Sequence, residues 1–281
     1  MPIALKTAMQ RVLEGWIEDL DPSWRALFAD VQLGFDAVDA ELSLEEWEPI
    51  FPTRRSKLFP GAPPGAHMLR AFDDIAPDQV RCIILGQDPY PEPGFATGRA
   101  FEAGNLATWR ELDKMFSKSV RAFLQLAVAA RSGDASFARS FADWPATLKA
   151  LEAGEAGFRA PADLVPRWLE QGVLPLNASL TLTRFSVTVD RHQSAGHLPL
   201  WRPLILAALT RLAARPRPLC IIAFGDAAVS ALAASGVEHS GHVFAIRRQH
   251  PASADAVLAL PNPLVLCNEF LRAQAHETID W

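Results

Sequence analysis

RCIILGQDPYPEPGFATGRAF, residues 81–101, begins as an apolar run and breaks abruptly at Gly86-Gln87-Asp88-Pro89-Tyr90. The run Cys82–Leu85 has the length and β-branched content of a buried strand. The glycine and prolines that follow punctuate a turn. Tyr90 is the single tyrosine of a 281-residue chain that has 16 phenylalanines. It stands beside an acid and between two prolines, so tyrosine is not serving as general filler here.

Three further apolar runs repeat the pattern: GVLPLNASLTL (172–182), PLCIIAFGD (218–226) and HVFAIRRQHPA (242–252). Helical segments lie between and after them. TWRELDKMFSKSVRAFLQLAVAAR places Trp109, Leu112, Phe116, Val120, Phe123 and Ala127 at three-to-four spacing, which gives one apolar face. LWRPLILAALTRLAAR, DAAVSALAAS and PLVLCNEFLRAQAHE follow the second, third and fourth runs. Strands alternating with helices predict an α/β fold, a three-layer α/β/α arrangement around a central four-stranded parallel sheet. The length suits one domain, 1–281, with a helical N-terminal part (1–75) and an α/β core (76–281).

In the N-terminal part, MPIALKTAMQRVLEGWIEDL reads as an amphipathic helix and not a targeting peptide. Asp21 and Pro22 mark a helix start, Ser43 and Glu46 have capping-box spacing, and FPTRRSKLFPGAPPGAHML (51–69) reads as a loop. Residues 131–163 read as an irregular excursion between the first two strands.

About half the residues are apolar, and no apolar run reaches the roughly 18 residues of a spanning helix. Cys82, Cys220 and Cys267 are an odd, sparse set inside apolar runs, which suits buried, reduced thiols in the cytoplasm. They are too few for a four-cysteine iron–sulfur cluster, and no spacing suggests zinc. A net charge of −5 argues against a broad nucleic-acid-coating surface while leaving room for a local groove.

The strands end in Gln87-Asp88-Pro89-Tyr90, Asn177-Ala178-Ser179, Gly225-Asp226 and Gln249-His250-Pro251-Ala252-Ser253. In open parallel sheets ligands bind outside the carboxyl ends of the strands, so these groups share one edge. Taken singly, each has a structural explanation. An Asp or Asn after a strand caps a turn, and a histidine packs or hydrogen-bonds. Four such groups at four successive strand ends weaken that explanation, although spacing alone names no reaction.

The motifs do name a family. GQDPYPEPGFATGRAF resembles the water-activating and uracil-binding motif of the uracil-DNA glycosylases, GQDPYH followed by PGQAxGLAF. VLPLNASLTL is similar to that family's LLLNxxLT strand, HPASADA to its HPSPLSA loop, and the terminal TIDW to its IDW. The order matches, from about residue 70 onward. The resemblance implies hydrolysis of the bond between uracil and deoxyribose in base-excision repair, on a base extruded from the duplex. It implies no metal or cofactor, because uracil leaves as a stabilised anion. It also implies a monofunctional, monomeric enzyme whose partners are uracil-containing DNA and the abasic product.

Roles carry over residue by residue. Asp88 is expected to stabilise the oxocarbenium-like sugar and position water, and His250 to donate to O2 of the departing base. Removing such a donor typically costs about 10²–10³ in rate. Tyr90 is expected to stand against uracil C5 and exclude a thymine methyl. Phe101 is expected to stack on the base, worth on the order of 1–3 kcal/mol. Asn177 is expected to read O4 and N3–H, presenting cytosine with a mismatched donor, and the Gln87 backbone to add a contact. Pro89, Ser179, Pro251, Ser253, Ala254 and Arg248 are the expected DNA contacts.

The sequence departs from the family at three places. Pro91 stands where the family has His. Ala254 aligns with the leucine that fills the gap left by the flipped base; Val257 or Leu258 would have to serve instead. EAGNLATW replaces the Pro-rich serine loop after Phe101, and Asp226 and Asp255 add acids beside expected phosphates. Arg184, Arg191, His192, Arg247 and Arg248 are the candidate compensating groups. These departures predict a relative preference for single strands or mismatches, and reduced sensitivity to the family's phage-encoded protein inhibitor. They also keep open a low-turnover uracil- or abasic-site-binding protein of the same fold. A glycosylase for another base is disfavoured by Tyr90 and Asn177.

Overall fold

The computed structural model describes residues 2–57, 59–114, 118–184 and 190–281. A two-residue antiparallel pair joins β1 (Ile3–Ala4) to β2 (Ser43–Leu44). The four apolar runs form β3 (Cys82–Gly86), β4 (Val173–Asn177), β5 (Leu219–Phe224) and β6 (Val243–Arg248). They make one parallel sheet in the order β4-β3-β5-β6. Every residue of β3, β4 and β5 is buried, as a sheet covered on both faces requires, and only β6 alternates in exposure.

Nine helices run through the described residues: α1 (Leu5–Leu13), α2 (Pro22–Leu27), α3 (Lys118–Ser132), α4 (Trp144–Glu152), α5 (Leu164–Glu170), α6 (Leu198–Ala213), α7 (Asp226–Ala234), α8 (Ala254–Leu258) and α9 (Pro263–Ala273). A continuous core extends from Leu5 to Trp281 and includes the fully buried Trp24, Trp168 and Trp201. The terminal IDW is a clasp. Asn268 on α9 brackets Ile279 with two 2.8 Å hydrogen bonds, Trp281 Nε1 donates to the Leu264 carbonyl, and Asp280 pairs with Arg131 and Arg167.

The N-terminal part is less helical than its composition suggests. Ser43 does not cap a helix; it pairs with Ala4 in β2. The peptide N–H of Glu45 is instead satisfied by the Glu48 carboxylate at 2.8 Å, closing a turn. Asp21 and Pro22 do open α2, and 51–69 is turns and loop where described. The helix expected over 108–131 divides into a 3₁₀ segment, Trp109–Asp113, and α3; Phe116 lies outside the described residues. The excursion 131–163 contains a nine-residue helix, α4, built on Trp144, Leu148 and Leu151. No helix is long and apolar enough to cross a membrane among the described residues.

The three cysteines lie toward the opposite edge of the sheet from the strand ends discussed above. Cys82 and Cys220 are register partners on β3 and β5, and Cys267 joins them from α9, with all three sulfurs within 4.8 Å of one another. All three are free and buried, as the sequence suggests.

Candidate active site

A cavity of about 520 Å³ opens at the carboxyl ends of β3, β4 and β6. Gly86, Gln87, Asp88, Pro89, Tyr90 and Pro91 enter it from β3, Asn177 from β4 and His250 from β6, with Phe101 beside them. Parallel pairing explains the convergence. Gly86 and Asn177 are register partners, and the ladder continues past the strands through Ala178 N–H to Gly86 O and Ser179 N–H to Gln87 O, each 2.9 Å.

Gly86 is a spatial requirement. A Cβ there would lie 2.5 Å from Asn177 Oδ1 and 3.2 Å from the Ala100 methyl. Only a bare backbone lets the Asn177 amide lie across the strand, where it is 2% exposed. Phe101 adopts φ +58°, a left-handed conformation uncommon for a bulky residue. Such strain persists where the surroundings enforce it, and here they do. The Phe101 ring stacks on Phe123 at 4.5 Å and 15°, and meets Phe224 edge-on at 5.4 Å. One ring face is backed by the core, and the ring lines the cavity. Tyr90 packs against Phe51, Ala96 and Leu182, and burial raises its phenol pKa, so the group stays neutral.

Burial raises the Asp88 pKa to about 6, against two amide hydrogen bonds that favour the charged form. Gln87 Nε2 and Gln193 Nε2 both donate to Oδ2, at 3.3 and 3.0 Å. The carboxylate is thus held by one oxygen while the described hydrogen bonds leave Oδ1 to the cavity. His250 is held neutral: burial lowers its pKa, opposed by the nearby Asp226 carboxylate. The Ala252 N–H donates to Nδ1 at 3.2 Å, so the ring proton sits on Nε2, which becomes the donor. Gly225, at φ +88°, makes room for the ring; a Cβ there would come within 3.1 Å of it.

The expected DNA contacts divide. Pro89 lines the cavity and Ser253 is exposed. Ser179 is fully buried and its hydroxyl turns inward to the Thr181 carbonyl at 2.9 Å. Pro251 is buried. Ala254 is 1% exposed at the start of α8, and Val257 and Leu258 are buried behind it. None of these three reaches outward as a wedge, because α8 turns its apolar face to the core. Arg248 donates to the carbonyls of Arg247 and Pro261, bracing the loop, and is not a free cation.

Of the other compensating groups, all but Arg247 are engaged. Arg184 lines the cavity but forks onto the Glu48 carboxylate. Arg191 pairs with Asp39 and Glu41, and His192 bonds Asp190 and the Ser43 carbonyl. Arg247 is exposed. Asp255 turns away, accepting the Phe141 N–H at 2.8 Å. Sequence reasoning did not single out Gln193, Asp190, Lys118 or Ser119, all of which line the cavity. They come from a segment beyond β4 and from the start of α3, far from any strand end.

The chain is 30% identical over 224 residues to the uracil-DNA glycosylase of Mycobacterium tuberculosis, covering 78% of this chain and 80% of that one. The chain belongs to the uracil-DNA glycosylase family. A second relative, the uracil-DNA glycosylase of Bordetella avium, is 31% identical over 221 residues, covering 76% and 71%. The wild-type UNG crystal structure from Nitratifractor salsuginis shares the fold at TM-score 0.56 and 22% identity, covering 90% of this chain and 91% of that one. Mimivirus UNG Y322L, solved in complex with UGI, superposes at TM-score 0.57 and 16% identity over 96% and 94%. No family model matches the chain.

Proposed function

We propose that the protein is a uracil-DNA glycosylase that hydrolyses the N-glycosidic bond of uracil in DNA and leaves an abasic site. The observation that carries this is the juxtaposition of a desolvated carboxylate, Asp88, with a neutral imidazole whose free proton is on Nε2, His250, around a cavity walled by Tyr90, Phe101 and Asn177.

The chemistry follows from the geometry. The base leaves the stack and enters between Phe101 and Tyr90. Asn177 donates to O4 and accepts from N3–H. As the C1′–N1 bond breaks, its electron pair passes to the base, and His250 Nε2–H stabilises the charge gathering on O2. Asp88, ionised above about pH 6, faces the cationic sugar and draws a proton from the water that attacks C1′. The products are the deoxyribose hydroxyl and uracil, with the water's two hydrogens divided between them. The residues present supply each step without a metal or cofactor.

The protein acts as a monomer in the cytoplasm, where reducing conditions suit three free thiols. It prefers single-stranded or mismatched uracil and is weakly held by the phage inhibitor. The burial of Ala254, Val257 and Leu258 supports both readings: the aligned place carries no outward leucine, and the exposed Leu260 lies six residues beyond it. The test is single-turnover cleavage of an oligonucleotide with one uracil, unpaired, opposite G and opposite A. Alkali-labile product, formed fastest from the unpaired or G-opposed base, is expected. Equal rates on all three substrates would end the strand preference. Retained binding to uracil or abasic DNA with no product would establish the low-turnover binder instead.

A further inference from the structure

We propose that Gln193 is a positioning residue for Asp88, the group that fixes which carboxylate oxygen faces the sugar. The proposal rests on the glycosylase reading of the same site.

Three observations support it. Gln193 is 4% exposed, lines the cavity and places Nε2 3.0 Å from Asp88 Oδ2, the shorter of the two amide contacts to that carboxylate. Both amides bind the same oxygen, so the pair sets the rotation of the carboxylate about its Cβ–Cγ bond. Position 91, beside the motif, is a proline and brings no side-chain donor.

Gln193 is itself held rigidly. It begins the π-helical turn Gln193–His197, the only one among the described residues, and such turns occur frequently at functional sites. His197 at the far end is fully buried and neutral, its pKa lowered to about 3 by burial. Its Nδ1 meets Thr181 Oγ1 at 2.8 Å and its Nε2 meets Thr183 Oγ1 at 3.2 Å, while Trp201 Nε1 donates to the same Thr181 hydroxyl at 2.7 Å. Thr181 and Thr183 belong to the segment that continues from Asn177. One hydrogen-bonded frame thereby sets Gln193 and the base-reading amide relative to each other.

Gln193 Oε1 is buried, with no hydrogen-bond partner among the described residues. Its place beside Asp88 suits an acceptor for one O–H of the attacking water, with the other O–H directed to the carboxylate.

The test measures Gln193→Met, which keeps the length of the side chain, and Gln193→Leu. Single-turnover rates against pH are compared with Kd for an uncleavable uracil oligonucleotide. The Asp88 carboxyl is also titrated by ¹³C NMR without DNA, so this readout survives even if the protein proves not to cleave uracil. Other charged or titratable groups around the cavity are Tyr90, Arg99, Lys118, Arg184, Asp190 and His250. None of them donates to Asp88 in the described hydrogen bonds, so an altered Asp88 titration reports the lost amide. The expected result is a rate about 10–100-fold lower, as for a lost hydrogen bond to a charged group, with Kd within about twofold. The acid limb and the NMR titration both move upward. A rate within twofold of wild type would overturn the proposal. So would a lower rate with an unmoved Asp88 titration, which is the signature of altered packing.

Discussion

At the floor of the cavity, Gly86, Asn177 and Phe101 are fixed by strand register, by a strained backbone and by the Phe123–Phe224 pair behind them. At the rim, Arg184, Arg191 and Arg248 are committed to Glu48, to Asp39 and Glu41, and to two carbonyls. The floor keeps the groups expected of its family, while the rim commits these three arginines to its own loops. Selection of the base therefore depends on buried, short-range geometry. Attraction of DNA depends on whatever charge the rim can release, and the two functions are separable by mutation.

The largest effect is expected at Asp88. Asp88→Asn should lower the single-turnover rate by at least about 10²–10³-fold. The wild-type rate should fall about tenfold per pH unit well below pH 6, as Asp88 takes up its proton. Stability should move the other way. Because burial raises the folded pKa from 3.8, the contribution of protonated Asp88 is complete below the unfolded value and is lost as pH rises through about 6. Asp88→Asn should therefore stabilise the fold at pH 7 by roughly 1–2 kcal/mol, measured by denaturant unfolding. A variant both inactive and less stable would break the separation between chemistry and fold.

Gly86→Ala comes next. Its methyl would displace the Asn177 amide, and a shift of about an ångström in such a group costs roughly 10²-fold. The loss should fall on uracil selection while binding to abasic DNA is retained, as a competition assay would show. Ala254→Leu, the substitution that restores the family residue, should restore no wedge. It overpacks a buried site and should destabilise by about 1–3 kcal/mol. A gain in duplex cleavage would show that the loop can turn outward. The smallest effect is at the rim. Glu48→Gln releases Arg184, and the slope of log K against log salt should steepen by roughly 0.7–0.9 if the guanidinium finds a phosphate.

The same division explains what the sequence could and could not show. The four strands and the groups at their ends were legible because each is local, a short run followed by its own turn, whereas the roles of Gln87, Asp88, Tyr90, Phe101, Asn177 and His250 came only with the resemblance of their motifs to the family. The rim was not. Arg184 and Glu48 are 136 residues apart, Arg191 and Asp39 are 152, and no spacing rule links them. Gln193 reaches Asp88 across 105 residues from a segment with no strand-end signature. The cysteines show the same limit in the core. Apolar context identifies each as buried, but only sheet register brings the three sulfurs together. Ser43 and Glu46 had the spacing of a capping box, yet the pairing of Ser43 with Ala4 prevailed.

The Phe101–Phe123 stack has a consequence for the extruded base. A nucleobase leaving the duplex loses its neighbours above and below. In this cavity it would gain a ring that is itself the outer member of a pile: Phe123, with Trp168 and Phe224 edge-on to it, lies behind Phe101. The protein thus offers a short artificial column of rings, rooted between α3 and the sheet, on which, under the proposed function, uracil would become the terminal plate. Extrusion would then be a transfer from one stack to another, with the interior aromatic packing of the protein taking the place of the neighbouring base pair.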